Sequence, residues 1–374
     1  MAQGNSMDTV SEEVLELIVA KLPAVSVLAA AQVCKNWFNV VRSRRFAKFY
    51  DQQACRKSWF FQCCVNYLIP EKNQGYGYDP ESKQWHKLSS QCFPNEQDKL
   101  AMASSPDGLL YSIFTLSDLT YKREFLSKQW SEAPPMKYSR NAPLFGVVDS
   151  PDGESHKLLV AGGVSFFEDD DLALEIYDSA SRSWEVCESL PREFRNNSSR
   201  HWMTSAVVDG RFFVAEVYTG LIASFDLQTM RWSAVGTLRP AGVVHSHLLA
   251  IRGNLYLGGS CYFEDKHSFK IWKVNVTAQE CGVEVASMPS ALCRIFGPSD
   301  DGGPERKGEG IRCVASGDLI YIFSREQYRD NQVVVCDLSS PGADQWSLLP
   351  PLPATGSFNN VIGFSSPVKI GSLF

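Results

Sequence analysis

The sequence predicts a mainly β fold: a closed β-propeller of about six four-stranded blades over residues 59–374, preceded by a small head of three helices. Three observations carry that expectation. A segment made of an aromatic residue, Asp, a five-residue polar turn and Trp recurs at a period near 50 residues, the sequence sign of a repeat architecture. Ahead of each copy, two runs of β-forming residues meet at a turn of the Asp-Gly type, a strong hairpin signal. Residues 10–50 stand apart: they contain no Gly and a single Pro, and their apolar residues recur at helical spacing.

In the head, Val14, Leu15, Ile18, Val19 and Leu22 set the spacing of a first helix. Ser11 precedes them as an N-cap, and Glu12, Glu13 and Glu16 suit the positive end of the helix dipole. Pro23 ends the helix, because it disfavours a helical residue before it. A second helix is expected over roughly Val25 to Val33, and a third around Trp37, Phe38, Val40 and Val41. Three short helices bury too little area to be stable alone, so the head is expected to dock on something else. Arg42, Arg44, Arg45, Lys48, Arg56 and Lys57 follow, giving residues 1–58 eight Lys/Arg against five Asp/Glu. They fit either contact with an acidic partner or a solvated helix end whose cations suit the C-terminal dipole.

The repeat is plainest at Tyr78-Asp79 to Trp85, Tyr177-Asp178 to Trp184 and Phe225-Asp226 to Trp232. Asp337 with Trp346 is a lengthened copy, Trp130 ends a divergent one, and the copy around Trp272 has lost its terminal Trp. Hairpin turns are expected at Asp107-Gly108, Asp152-Gly153, Asp209-Gly210, Gly253-Asn254 and Gly317-Asp318. Each copy thus reads as four strands, a to d. The first copy lacks strand a, and 360–364 is an a-like strand with nothing after it. Ring closure by that last strand removes the open edge.

The head residues Ser11-Glu12-Glu13-Val14-Leu15, Ile18, Leu22-Pro23, Leu28 and Val33-Cys34-Lys35 with Trp37 resemble an F-box, over about 35 residues. The family usually opens with Leu-Pro, where this chain has Val10-Ser11. The remainder resembles the kelch family, whose double Gly appears after strand b only at Gly162-Gly163 and Gly258-Gly259. Together they resemble plant F-box/kelch-repeat proteins, with an F-box at 8–50, a basic connector at 51–58 and a kelch-type propeller at 59–374. The resemblance implies a substrate receptor of an SCF-type ubiquitin ligase. Val10, Leu15, Ile18, Leu22, Pro23, Leu28, Val33, Cys34 and Trp37 would then form the surface facing a Skp-type adaptor, and through it a cullin scaffold, together with its supporting core.

Composition sets the outer limits. The 374 residues are 44% hydrophobic and 21% charged, a globular composition able to bury a large core. A net charge of −6 excludes a broadly basic nucleic-acid binder. The polar N-terminus lacks a secretory signal and no stretch suits a membrane span, so an intracellular site, cytoplasmic or nuclear, is expected. Eleven scattered Cys without a CxxC pair read as reduced thiols.

Enzyme signatures are sparse. There is no phosphate-binding loop. His245 and His247 are read as facing opposite ways on a strand, which argues against a shared metal. The iron-binding Glu-x-x-x-Asp-x-x-x-His pattern of some kelch proteins has its nearest match at Glu326 and Asp330, with Val334 in the third position. No catalytic residue, metal or cofactor is therefore expected. Binding is expected on the long b–c and d–a loops, since loops vary on a rigid scaffold. The candidates there are Arg140, Asn141, Phe167, Arg195, Arg200, His201, Trp202, His245, Arg294, Arg325 and Tyr328. Arg and aromatic residues are the usual contact hot spots, and a ring of Arg favours an acidic segment on a target protein. The alternatives are a propeller enzyme or metal-dependent specifier with a vestigial F-box, and an adaptor-bound scaffold that degrades nothing.

Overall fold

A computed structural model of the chain describes residues 11–52, 58–66, 69–89, 101–104, 110–114, 118–122, 130–140, 143–150, 155–164, 170, 172–197, 203–263, 266–278, 280–296, 310–324, 332–353 and 360–370. The head contains four helices where three were expected: α1 (Glu12–Val19), α2 (Ala24–Ala30), α3 (Lys35–Val41) and α4 (Arg44–Asp51). Ser11 caps α1 by accepting from the Val14 amide at 3.4 Å. The extra helix lies in the basic run. Ser43 caps it by accepting from the Phe46 amide at 3.0 Å, and Phe46 and Tyr50, one turn apart, are fully buried. The Tyr50 hydroxyl donates to the Leu22 carbonyl at 3.1 Å, tying α4 to the end of α1.

Beyond the head come β1 (Trp59–Val65), β2 (Gln74–Asp79) and β3 (Gln84–Lys87), then β4 (Ala101–Ser104), β5 (Leu110–Phe114), β6 (Asp118–Lys122) and β7 (Ser131–Glu132). The third group is β8 (Leu144–Asp149), β9 (His156–Ala161), β10 (Leu174–Asp178) and β11 (Ser183–Cys187). The fourth is β12 (Met203–Val208), β13 (Arg211–Glu216), β14 (Leu221–Asp226), β15 (Arg231–Trp232) and β16 (Gly236–Thr237). Next are β17 (Val243–Ile251), β18 (Asn254–Phe263), β19 (Lys266–Asn275) and β20 (Glu280–Ser287). A short helix, α5 (Ser290–Cys293), precedes β21 (Ile311–Ser316), β22 (Leu319–Ser324), β23 (Val333–Asp337), β24 (Trp346–Leu348) and β25 (Asn360–Ser366). Among the described residues the helices therefore number five.

Every strand pairing is antiparallel, and the inner strands β8, β12, β17, β21, β25 and β4 follow one another around an axis. The strands form six antiparallel sheets, five of four strands and one, β12–β16, of five. One copy is divergent. Its backbone pairs as the sheet β4–β7, but it lacks the aromatic-Asp segment and its outer strand has two residues.

The repeated residues have two jobs. The Asp ends strand c and folds the c–d turn: Asp79, Asp178, Asp226 and Asp337 each accept, through Oδ1, the amide two residues on. Asn275 does the same in the copy without a terminal Trp. Lys83, Arg182 and Met230 then take the left-handed conformation four residues after the Asp. The Trp joins neighbouring blades. Trp85, Trp184 and Trp232 donate from Nε1 to the carbonyls of Pro350, Pro134 and Glu188, each just past the outer strand of the preceding blade. Among the a–b turns, Asp209-Gly210 is as expected, both residues having positive φ. The next turn is Arg252-Gly253, one residue earlier than Gly253-Asn254. Asp107-Gly108 and Asp152-Gly153 lie outside the described residues.

The ring closes as expected. β25 pairs with β1 over seven residues, from Trp59 with Ser366 to Val65 with Asn360. Gly363 is required there, because a Cβ at that position would clash with the ring of Phe323. The head docks on this same blade. Its core, including Leu15, Val19, Val27, Val41, Phe46 and Tyr50, is continuous with Trp59, Phe61, Cys63, Phe364 and Ile370. Asp51, the last residue of α4, accepts the Ile370 amide at 3.0 Å. Ile370→Ala is expected to cost about 2–5 kcal/mol and to lower the unfolding midpoint of head and propeller together, as read by denaturant titration with separate helix and strand probes.

Candidate functional site

Two surfaces gather the expected site residues. On the head, α1 turns Leu15 and Val19 into the core and leaves Val14, Leu17 and Ile18 on the opposite stripe. Ile18 is 50% exposed, and Val33 and Phe38 are 59% and 41% exposed. With Phe49, 37% exposed, six large apolar side chains of the head are left uncovered among the described residues, a cost in water that association with a partner relieves. Cys34 is exposed, while Leu22, Pro23, Leu28 and Trp37 are half-buried and support the surface. Leu15 falls in the core beneath that surface: it is buried, because α1 points it inward. Val10 lies outside the described residues. Val14, Leu17 and Phe38 were not among the expected contacts, although the 3.6-residue period places Val14 and Leu17 beside Ile18.

The second surface is the propeller face that carries the b–c and d–a loops. Arg140 is a correction here. Its side chain is 0% exposed, as is that of Glu175, and the two pair at 2.8 Å. Arg140 Nη1 also donates to the carbonyls of Gly162 and Ala173, while Glu175 accepts the amides of Lys137 and Tyr138. Burial loosens the hold of Arg140 on its proton, and Glu175 opposes that. The pair locks the loop before β8 onto the b–c loop of its own blade, and contributes shape rather than a contact to solvent.

His245 is a second correction. It is 4% exposed, at a bulge where β17 begins. Residues two apart on a strand share a face, so His245 and His247 do not face apart. Their rings meet edge-on at 4.6 Å, and His245 also lies 5.5 Å from Tyr218. His247 Nε2 bonds the Ile311 carbonyl at 2.9 Å. Burial and the Arg312 charge push His245 down to about 3, and burial, His245 and Arg312 hold His247 well below its ordinary value. Arg312 and Tyr218 were not expected, although Arg312 is the second residue of an inner strand that begins directly after the loop ending at Gly310. No group of three His, Cys, Asp or Glu suited to a metal occurs among the described residues.

Arg195 and Arg294 are exposed on short 3-10 turns of this loop face. Asn141, Phe167, Arg200, His201, Trp202, Arg325 and Tyr328 lie outside the described residues. No helix among the described residues is long and apolar enough to cross a membrane.

Two expected outcomes follow from these buried groups. Arg140→Met strands a buried carboxylate and is expected to cost about 3–5 kcal/mol in denaturant unfolding, while adding Glu175→Leu restores much of it. Above pH 6.5 both histidines are neutral whether folded or not. As pH falls from there toward 3, only the unfolded chain takes up their protons. Stability should then fall by up to about 1.4 kcal/mol per pH unit for each imidazole, and His245→Asn should give a shallower slope.

Residues 9–49 match the family described as the F-box domain, whose members bind Skp-type adaptors in SCF complexes. An F-box/kelch-repeat protein of Arabidopsis thaliana is 24% identical over 363 residues, 94% of this chain and 87% of its own length. A second from the same plant is 24% identical over 353 residues, 85% of this chain and 80% of its own. Among solved structures, that of U3-55K aligns with a TM-score of 0.42 at 15% identity, over 85% of this chain and 88% of its own. With an F-box match over residues 9–49 and a likeness to these relatives running nearly end to end, the chain resembles the F-box/kelch-repeat proteins of Arabidopsis thaliana.

Proposed function

We propose that this chain is the substrate-recognition subunit of an SCF-type ubiquitin ligase, with no bond chemistry of its own. The observation that carries the reading is the uncovered apolar stripe of Val14, Leu17 and Ile18, lying inside the F-box match. A Skp-type adaptor covers it, a cullin scaffold follows, and the loop face of the propeller holds a target protein for ubiquitination and proteasomal degradation. The F-box unit is residues 8–50 and the propeller 59–374. The mechanism is proximity: tethering raises the effective concentration of target lysines at the charged ubiquitin carrier. Arg195 and Arg294 suit an acidic segment on the target. The compartment is intracellular, cytoplasmic or nuclear.

Leu17→Asp with Ile18→Asp changes two exposed positions and spares the core. It is expected to weaken binding to a purified Skp-type adaptor at least about 100-fold with unchanged unfolding behaviour. Equal binding by wild type and variant sinks the reading. In cells, a target should accumulate with this variant and with Arg195→Glu, Arg294→Glu, as measured by protein turnover after a translation block.

A further inference from the structure

We propose that the cations opening α3 and α4 steer an adaptor with an acidic contact surface onto the apolar stripe, so that this face sets the rate of capture as well as its strength. The inference rests on the adaptor reading above.

The cations sit where the helices disfavour them. Lys35 is the first residue of α3, and Arg44 and Arg45 are the first two of α4. Neither helix has an acidic residue in its first turn, although the positive end of the helix dipole favours one there. The fourth helix thus disposes of the view that Arg44 and Arg45 suit a C-terminal dipole. All three side chains are exposed. Only Arg45 is tied by an ion pair among the described residues, to Glu16 at 3.0 Å.

The cations are continuous with the apolar set. Lys35 follows the exposed Val33 and Cys34. Arg42, at the end of α3, stacks 5.1 Å from the centre of the exposed Phe38 ring. Glu16, which holds Arg45, lies between Leu15 and Leu17 on α1. A partner seated on the stripe therefore meets positive charge beside it. A protein partner fits better than nucleic acid or an anionic membrane, since residues 59–374 carry 28 Lys/Arg against 37 Asp/Glu and repel an extended polyanion.

Charges at the rim of an interface act mainly on the association rate and are screened by salt. The test uses the full-length chain and a purified Skp-type adaptor, with rate constants measured from about 20 mM to about 500 mM salt. Wild-type association should slow about tenfold over that range. Lys35→Glu with Arg44→Glu should associate about tenfold more slowly at low salt, converge with wild type at high salt, and dissociate at an unchanged rate. Its Tm should equal or exceed that of wild type, because glutamates suit these helix starts; a purely structural role predicts the opposite. Lys35→Gln with Arg44→Gln should fall between the two. A wild-type rate indifferent to salt, or either variant matching wild type at low salt, overturns the steering and leaves the adaptor reading standing. No binding by wild type at any salt overturns both.

Discussion

The antiparallel pairing of β1 with β25 is the contact on which the other parts of this molecule depend. It joins residues some three hundred positions apart, so it carries a large loop-closure cost. What offsets that cost is the number of surfaces it completes at once. It satisfies the backbone of two edges that would otherwise stay open. It seats Phe364 on Phe61 with ring centres 5.2 Å apart, and brings Ile370 under the head. The head alone lacks the area to hold its fold, and the closed blade supplies the missing wall. The exposed apolar stripe of the head and the loop face are therefore parts of one packed body, and the angle between them is set by side-chain packing.

The two faces solve different problems. The head leaves apolar side chains uncovered and holds them on helices whose inner stripe is buried. The loop face hides its charge: Arg140 and Glu175 neutralise each other below the surface, and His245 and His247 stay uncharged beside Arg312. Buried polar groups of this kind fix loop geometry because each has a partner to lose. Arg195 and Arg294 stand exposed on short 3-10 turns of the same face.

The blade plan was legible because the c–d turn needs a side-chain acceptor at one position and a left-handed residue four further on, and a Trp marks the strand that follows. Such local demands show in any single copy. The fourth head helix was missed because Arg44 and Arg45 at its start contradict the usual charge preference, and only the buried spacing of Phe46 and Tyr50 betrays it. Arg140 was misplaced for a different reason. Its partner lies 35 residues away, and nothing local distinguishes a cation bound for the surface from one bound for a buried carboxylate. The exposed stripe of α1 was partly legible, since helical period alone groups Val14, Leu17 and Ile18.

The bond from Trp85, Trp184 and Trp232 to the neighbouring blade has a consequence for how such a chain changes over generations. The indole donates to a main-chain carbonyl, which every residue type possesses. The acceptor is Pro350 in one seam, Pro134 in another and Glu188 in a third, and the geometry hardly differs. A joint that reads backbone rather than side chain is indifferent to substitution on its accepting side. Each repeat can drift without its neighbours having to follow. A ring assembled this way tolerates copies that no longer look alike, and leaves its loops free to diversify while the frame endures.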